Sequence, residues 1–208
     1  MIRRSLLSGL MAFAVLLGAA PALAQDPAVT PVRIALQTDL GVIVIETDPR
    51  APITASNFVR YADEHRFDGV TFYRAMTLAP GMGLVQGGAS GASNRVLPPI
   101  AHEPTSQTGL SHVNGAVSMA QSRPGTATGD FFIIVGDVTS LDAGKMTPND
   151  PGFAVFGRVV EGMDLVRALL DAPKSPTEGE GAMRGQMLAP RVTIASARRV
   201  EAPAPQNQ

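Results

Sequence analysis

The chain has 208 residues, of which 45% are hydrophobic and 17% charged, with 17 basic and 18 acidic side chains, 21 glycines, 17 prolines and no cysteine. The apolar content and small net charge exclude a disordered chain, and the missing cysteines exclude disulfides, a thiol nucleophile and a cysteine-bound metal. The near-neutral charge provides no basic surface for nucleic acid, and the length indicates one turn-rich domain.

Residues 1–24 have the three-part pattern of a secretory signal peptide. A short basic start precedes the largely apolar residues 6–20, and Ala22-Leu23-Ala24 supplies the small residues of a signal-peptidase site. A membrane anchor is the alternative, but this apolar stretch is short for the roughly 20 residues that a span requires. We therefore expect cleavage after Ala24, a periplasmic location and no membrane attachment of the mature chain.

After a short lead-in over 25–30, short segments rich in β-branched and aromatic residues predict strands. These segments are 32–38, 42–47, 70–74, 116–120, 131–135, 153–160 and 191–200. Helices are predicted over 52–65, where Pro52 suits the first turn, and over 163–170. The Gly-rich stretch 80–94 is assigned no strand, and 201–208 is expected to be a disordered tail. Many short strands with few helices favour a barrel or a sandwich.

Generic site motifs are incomplete in this chain. The three histidines form no HExxH pattern and no tight ligand cluster, so no metal site is expected. The glycines at 81–88 do not complete a dinucleotide-binding pattern, and 88–91 is not a nucleophile elbow because its second glycine comes one residue early. The residue types alone therefore indicate an exported β domain without a visible nucleophile, metal site or phosphate site.

Several short motifs carry a stronger signal when they are taken together. They are Ala51-Pro52-x-Thr54-x-x-Asn57-Phe58, Phe67-Asp68-Gly69-Val70-x-Phe72-Tyr73-Arg74, Gln86-Gly87-Gly88, Gly115-Ala116-Val117-Ser118-Met119-Ala120, Phe131-Phe132-Ile133 and Val155-Phe156-Gly157-Arg158-Val159-Val160-Glu161-Gly162. In this order and spacing, the chain resembles the cyclophilin-type peptidyl-prolyl isomerases over about residues 31–200. The resemblance implies a mainly β fold, a closed eight-stranded antiparallel barrel capped by two α-helices, with a substrate groove on its outer face. It also implies a monomer that acts on proline-containing polypeptides without a cofactor.

The resemblance assigns roles to particular residues. The catalytic residues that it implies are Arg74, Gln86 and Phe132, where Gln86 binds the substrate backbone and Phe132 forms the floor of the proline pocket. The substrate-binding residues that it implies are Met82, Leu84, Ala120, Gln121, Asp130, Leu141 and Phe153. Without the resemblance, Arg74 would be an ordinary solvated arginine, Gln86 a turn-capping residue, and either Phe131 or Phe132 a core residue.

The chain departs from the family pattern at some of these positions. Asp130 stands where the family usually has glutamine, and Phe153 where it has histidine. The loop between Arg74 and Gln86 is also longer than in the best-known eukaryotic members. A carboxylate at Asp130 would either orient Arg74 or compete with the substrate for it.

The implied chemistry is rotation about an X-Pro bond, which breaks no covalent bond. The barrier of about 18–20 kcal/mol comes from the partial double-bond character of the amide. A guanidinium that donates to the prolyl nitrogen stabilises the twisted amide more than the planar one. A catalytically weak peptide-binding chaperone on the same fold and a structural envelope protein are the alternative functions.

Overall fold

The computed structural model describes residues 30–89 and 91–201. The predicted signal peptide, most of the lead-in, and all of the predicted tail except Glu201 lie outside the described residues. The strands are β1 (Arg33–Thr38), β2 (Gly41–Thr47), β3 (Val70–Ala79), β4 (Met82–Gly88), β5 (Ala116–Met119), β6 (Asp130–Val135), β7 (Ala154–Glu161) and β8 (Met187–Val200). The helices are α1 (Pro52–Asp63), α2 (Thr105–Thr108) and α3 (Met163–Asp171).

These strands of the described part of the chain form one closed antiparallel barrel. Their order is β1-β2-β7-β5-β6-β4-β3-β8, and β8 returns to pair with β1. This confirms the mainly β, eight-stranded barrel that the resemblance implied. Helices α1 and α3 pack against the barrel, and α2 adds a single turn that the sequence patterns did not indicate. Within residues 30–89 and 91–201, no helix is long and apolar enough to cross a membrane.

An aromatic cluster fills the barrel interior beneath α1. The ring of Phe58 lies 4.9 Å from that of Phe156 and 5.3 Å from that of Phe131, and Tyr61 stacks on Phe67 at 5.1 Å. All of these side chains are fully buried. Since burying a large apolar side chain contributes about 1.5–3 kcal/mol, this cluster holds α1 firmly on the barrel.

Strand β6 is apolar on both faces. Phe131 and Ile133 belong to the interior cluster, whereas Phe132 and Ile134 belong to a second apolar cluster on the outer face. Successive side chains of a strand point to opposite faces, so two adjacent phenylalanines are separated by the sheet itself. The outer face of β6 therefore provides an apolar surface outside the barrel.

The Gly-rich stretch, to which the sequence patterns assigned no strand, contains β4. A Cβ at Gly83 would lie 2.1 Å from the carbonyl oxygen of Met76, and one at Gly88 would lie 2.3 Å from that of Gly129. Glycine is a poor strand former in general, but here it lets neighbouring backbones approach closely. Tertiary packing therefore overrides the local preference.

Three element boundaries differ from the predicted ones by two residues or more. Strand β3 continues to Ala79, and β8 already begins at Met187. Helix α1 ends at Asp63 because His65, which was predicted to be helical, has a φ of 57°. A residue in this left-handed conformation cannot continue a right-handed helix.

Helix α1 is capped by a residue that is distant in sequence. Its N-cap position is Ala51, which has no side-chain acceptor. Instead, the backbone N–H groups of Ile53 and Thr54 donate to the two carboxylate oxygens of Glu103 at 3.1 and 2.7 Å. The Thr54 hydroxyl also donates to Glu103, at 2.6 Å. This carboxylate is only 2% exposed, so the segment that precedes α2 is held firmly against the start of α1.

We expect Glu103→Ala to lower the free energy of unfolding by about 2–4 kcal/mol, because it leaves three donors, two of them buried, without their acceptor. Urea denaturation measures the change, and Glu161→Ala at the exposed end of β7 is the control. A loss below about 1 kcal/mol would contradict the capping role.

Candidate active site

A β-bulge places Arg74 on the outside of the barrel. In the pairing of β3 with β4, Phe72 faces Gly87 and Arg74 faces Gln86, so Tyr73 is an extra residue on β3. Phe72 belongs to the interior cluster, whereas Tyr73 and Arg74 both line an outer groove. Strict alternation would turn Arg74 to the same face as Phe72. The bulge shifts the alternation by one residue and turns the guanidinium outward.

The register of the sheet then aligns the three predicted catalytic residues. Arg74 on β3 pairs with Gln86 on β4, and Gln86 pairs with Phe132 on β6. Phe132 in turn pairs with Ser118 on β5. Directly opposed residues in antiparallel strands have Cβ atoms about 4.5–5.5 Å apart, so this row forms one continuous surface.

The guanidinium of Arg74 is held by three neutral acceptors. Its Nη1 donates to Gln86 Oε1 at 2.8 Å, and its Nε donates to Gln186 Oε1 at 2.8 Å. Its Nη2 lies 3.5 Å from the thioether sulfur of Met76, which is a weak acceptor. Burial lowers the pKa of Arg74, but an arginine keeps its proton in proteins. The site therefore holds a fixed cation.

Gln86 has a fixed orientation as well. Its Nε2 donates to the hydroxyl of Tyr73 at 2.8 Å, and its Oε1 accepts from Arg74. The residue is buried in the sheet, with 9% exposure, beside Phe132. The bulged residue Tyr73 thus supports the glutamine that holds the arginine.

The groove next to this row has a volume of about 820 Å³. The predicted site residues that line it are Arg74, Leu84, Gln86, Ala120, Gln121, Asp130, Phe132, Leu141 and Phe153. Met82 does not line the groove but packs against the outer apolar cluster. Met76 lines the groove in addition, together with Tyr73 and Met187. Met76 follows Arg74 at the strand period of two, which is a signal that the sequence contained.

An apolar pocket occupies the part of the groove beside Arg74. Phe132 forms its floor, and Phe153 stands edge-on to it at 5.3 Å with an interplanar angle of 88°. Leu84 and Leu141 belong to the same apolar cluster. Flat aromatic and branched aliphatic walls of this kind suit a small apolar ring.

Asp130 lies on the groove wall, where it pairs with Gly88. Its Oδ1 is 2.6 Å from the position that a Cβ on Gly88 would occupy, so a glycine is needed beside this carboxylate. Gln86 and Gln186 accept hydrogen bonds from the guanidinium of Arg74, and the effect of the Asp130 carboxylate on Arg74 stays a prediction. Gln121, nearby, donates from Nε2 to the carbonyl oxygen of Gly152 at 3.1 Å.

A buried column of hydrogen bonds supports Phe132 from behind. The ring of His112 stacks on Phe132 with an interplanar angle of 11°, its Nδ1 lies 2.6 Å from Asp142 Oδ1, and its Nε2 lies 3.1 Å from Ser118 Oγ. Burial lowers the pKa of His112 although Asp142 opposes this. Burial raises the pKa of Asp142, but hydrogen bonds from Ser111 and His112 outweigh it and lower that pKa. We infer a neutral imidazole that donates from Nδ1 to an ionised carboxylate and accepts from Ser118.

The fold and this groove define a β-barrel protein with a fixed cation beside an apolar pocket on its outer wall. The family model described as cyclophilin type peptidyl-prolyl cis-trans isomerase/CLD matches residues 33–198. The chain therefore belongs to the cyclophilin-type peptidyl-prolyl cis-trans isomerase family, as its motifs indicated.

Individual relatives agree with this assignment. The chain is 36% identical to peptidyl-prolyl cis-trans isomerase cyp18 of Streptomyces antibioticus over 70% of this chain and 87% of that protein. It is 34% identical to peptidyl-prolyl cis-trans isomerase B of Escherichia coli K12, over 64% of this chain and 80% of that protein. A cyclophilin-type isomerase from Cryptosporidium parvum has a similar fold, with a TM-score of 0.65 and 17% identity, over 83% of this chain and 99% of that structure.

We expect the stability of the protein to depend on His112 between pH 7 and pH 5. In the unfolded chain, histidine takes up a proton as the pH falls below about 6.5, whereas folded His112 stays neutral to lower pH. The unfolded state then binds more protons than the folded state. The free energy of unfolding therefore decreases as the pH is lowered, by at most about 1.4 kcal/mol per pH unit. His112→Asn removes this contribution and flattens the dependence.

Urea denaturation at several pH values measures this effect. His65→Asn is the matched control, because this site is exposed and asparagine tolerates its left-handed conformation. An equally steep pH dependence in His112→Asn would contradict a neutral buried imidazole.

Proposed function

We propose that the groove accelerates cis–trans rotation about X-Pro bonds in unfolded or exposed polypeptide. The observation that carries this proposal is the fixed guanidinium of Arg74 beside the apolar pocket over Phe132. Membership of the cyclophilin-type isomerase family supports the same activity. The reaction breaks and forms no covalent bond, so side chains of this chain suffice for it.

Arg74 acts on the transition state more than on the ground state. In a planar amide, the lone pair of the prolyl nitrogen is delocalised into the carbonyl group, which makes this nitrogen a poor hydrogen-bond acceptor. As the bond twists, the lone pair returns to the nitrogen, and Nη2 of Arg74 can donate to it. A donor that gains its partner only in the twisted state lowers the barrier, and about 4 kcal/mol would correspond to about a thousandfold acceleration.

The apolar pocket has a different part in the reaction. Each buried methylene group contributes about 0.8 kcal/mol. Burial of a pyrrolidine ring against Phe132, Leu84 and Leu141 therefore stabilises the bound substrate. The ring itself changes little while the preceding bond rotates. The pocket therefore stabilises ground state and transition state equally, which lowers KM and holds the nitrogen near Arg74.

We propose further that the enzyme acts after export, on proteins that fold in the periplasm. The signal-like sequence over 1–24 supports this location. Cleavage after Ala24 would leave 15 basic and 18 acidic residues, a net charge of −3. This charge favours polypeptide over nucleic acid as the binding partner, and we propose that the chain acts as a monomer.

We expect Arg74→Ala to reduce the acceleration of X-Pro exchange at least about 10²-fold, because it removes the donor to the twisted amide. NMR exchange measurements on a short proline-containing peptide provide the rates. The fold should persist, since Arg74 lies at the groove surface and not in the barrel interior.

Arg167→Ala, on the exposed side of α3, is the matched control and should keep full activity. Unfolding of Arg74→Ala would mean that Arg74 is structural. A folded wild-type protein without any acceleration would favour a peptide-binding chaperone with the same groove.

We also expect mass spectrometry of the exported protein to show Gln25 at the mature N-terminus. Retention of Met1 in a membrane fraction would support an anchor instead.

A further inference from the structure

Arg74 is held on the side opposite Gln86 by a residue from another part of the chain. Gln186, in the connection between α3 and β8, accepts from Nε of Arg74 at 2.8 Å across 112 residues of sequence. We propose that Gln186 is a positioning residue for isomerisation, which holds the guanidinium so that Nη2 faces the groove. This inference rests on the proposed function and assigns one more residue to it.

The carboxamide of Gln186 can present only its oxygen to Arg74. Its Nε2 donates to the carbonyl oxygen of Ala182 at 2.8 Å, so the nitrogen of the amide faces Ala182 and the oxygen faces Arg74. Gln86 has the same arrangement, since its Nε2 donates to Tyr73 and its Oε1 accepts from Arg74. Two oriented amide oxygens thus hold two of the three guanidinium nitrogens. The third nitrogen, Nη2, contacts only the weak acceptor Met76 in the described structure.

The backbone around Gln186 gives this amide a firm support. The carbonyl oxygen of Gln186 accepts from the N–H of Ala75, the residue that follows Arg74, at 2.9 Å. The N–H of Gln186 donates to the carbonyl oxygen of Met183 at 3.0 Å, and that of Gly185 donates to Glu178 at 3.0 Å. The residue that supports Arg74 is therefore attached to β3 itself, next to Arg74.

Neutral acceptors suit this position better than a carboxylate would. A carboxylate would also orient the guanidinium, but its negative charge would offset the positive charge on Arg74 at the prolyl nitrogen. Amide oxygens fix the geometry without adding a negative charge in contact with the guanidinium. Because a displacement of about 1 Å can cost up to about 10²-fold in rate, loss of one support is expected to be measurable.

A purely structural role would have a different consequence. The same connection contributes Ala182 and Met183 to the groove wall. If Gln186 served only to shape that wall, its loss would weaken substrate binding and raise KM. If it acts through Arg74, its loss lowers kcat and leaves KM nearly unchanged.

The test compares Gln186→Leu with Gln107→Leu, an identical change at an exposed position of α2. We expect Gln186→Leu to lower kcat at least about tenfold with less than about a threefold change in KM, and Gln107→Leu to change neither. In the Arg74→Ala background, Gln186→Leu should lower the remaining rate less than about twofold, because the residue through which it acts is gone. Should Gln186→Leu fail to fold, Gln186→Asn withdraws the same oxygen and provides the same comparison.

The Nε–H signal of Arg74 in ¹H–¹⁵N NMR gives a readout that does not depend on activity. Its exchange with water should accelerate in Gln186→Leu and stay slow in Gln107→Leu. An unchanged signal, a change in KM alone, or an equal loss of rate in both backgrounds would overturn the proposal. A wild-type protein without isomerase activity would overturn the proposed function, and the Arg74 signal would still report whether Gln186 fixes the guanidinium.

Discussion

The extra residue on β3 is the constraint on which the site depends. Because Tyr73 is an extra residue in the register of β3 with β4, Phe72 fills the barrel interior while Arg74, two positions later, points outward. Without the bulge, either an arginine would enter the aromatic core or Phe72 would leave it, and a buried unpaired charge costs several kcal/mol. The requirement to keep the core apolar and the requirement to expose the cation are therefore met by one local irregularity.

The rest of the site follows from the regular parts of the sheet. Once Arg74 faces outward, the register of β3, β4 and β6 places Gln86 and Phe132 beside it in one row. Tyr73 also contributes to the site, since its hydroxyl accepts from the amide of Gln86 and orients it. These hydrogen bonds satisfy polar groups that would be costly to bury without partners, and they fix a charge next to an apolar pocket.

Behind the pocket, a second polar arrangement supports the floor. Phe132 lies between the substrate groove and the ring of His112, which is fully buried and bonded to Asp142 and Ser118. A buried polar network of this kind stabilises only when each member finds its partner. The position of the pocket floor thus depends on residues that never reach the groove surface.

Much of this protein was determined by local sequence. Alternating β-branched residues predicted most strands, and Pro52 marked the start of α1. The ordered motifs identified the family and predicted ten site residues, nine of which line the groove. These features depend on side-chain type and on neighbours close in the chain. Strand β4 was missed because glycines 83 and 88 allow close backbone approach to the neighbouring chain at Met76 and Gly129, which local propensity does not describe.

Only the tertiary structure decided which faces and which distant residues form the site. Without the family resemblance, the residue types did not distinguish Phe131 from Phe132, and the resemblance itself offered Met82 where the groove uses Met76. It contained no sign that Glu103 caps α1 or that Gln186 holds Arg74. These contacts join groups that are separated by many residues in the chain. They form because the barrel closes in one register. Residue type alone determined what chemistry was possible, and barrel geometry determined where it occurs.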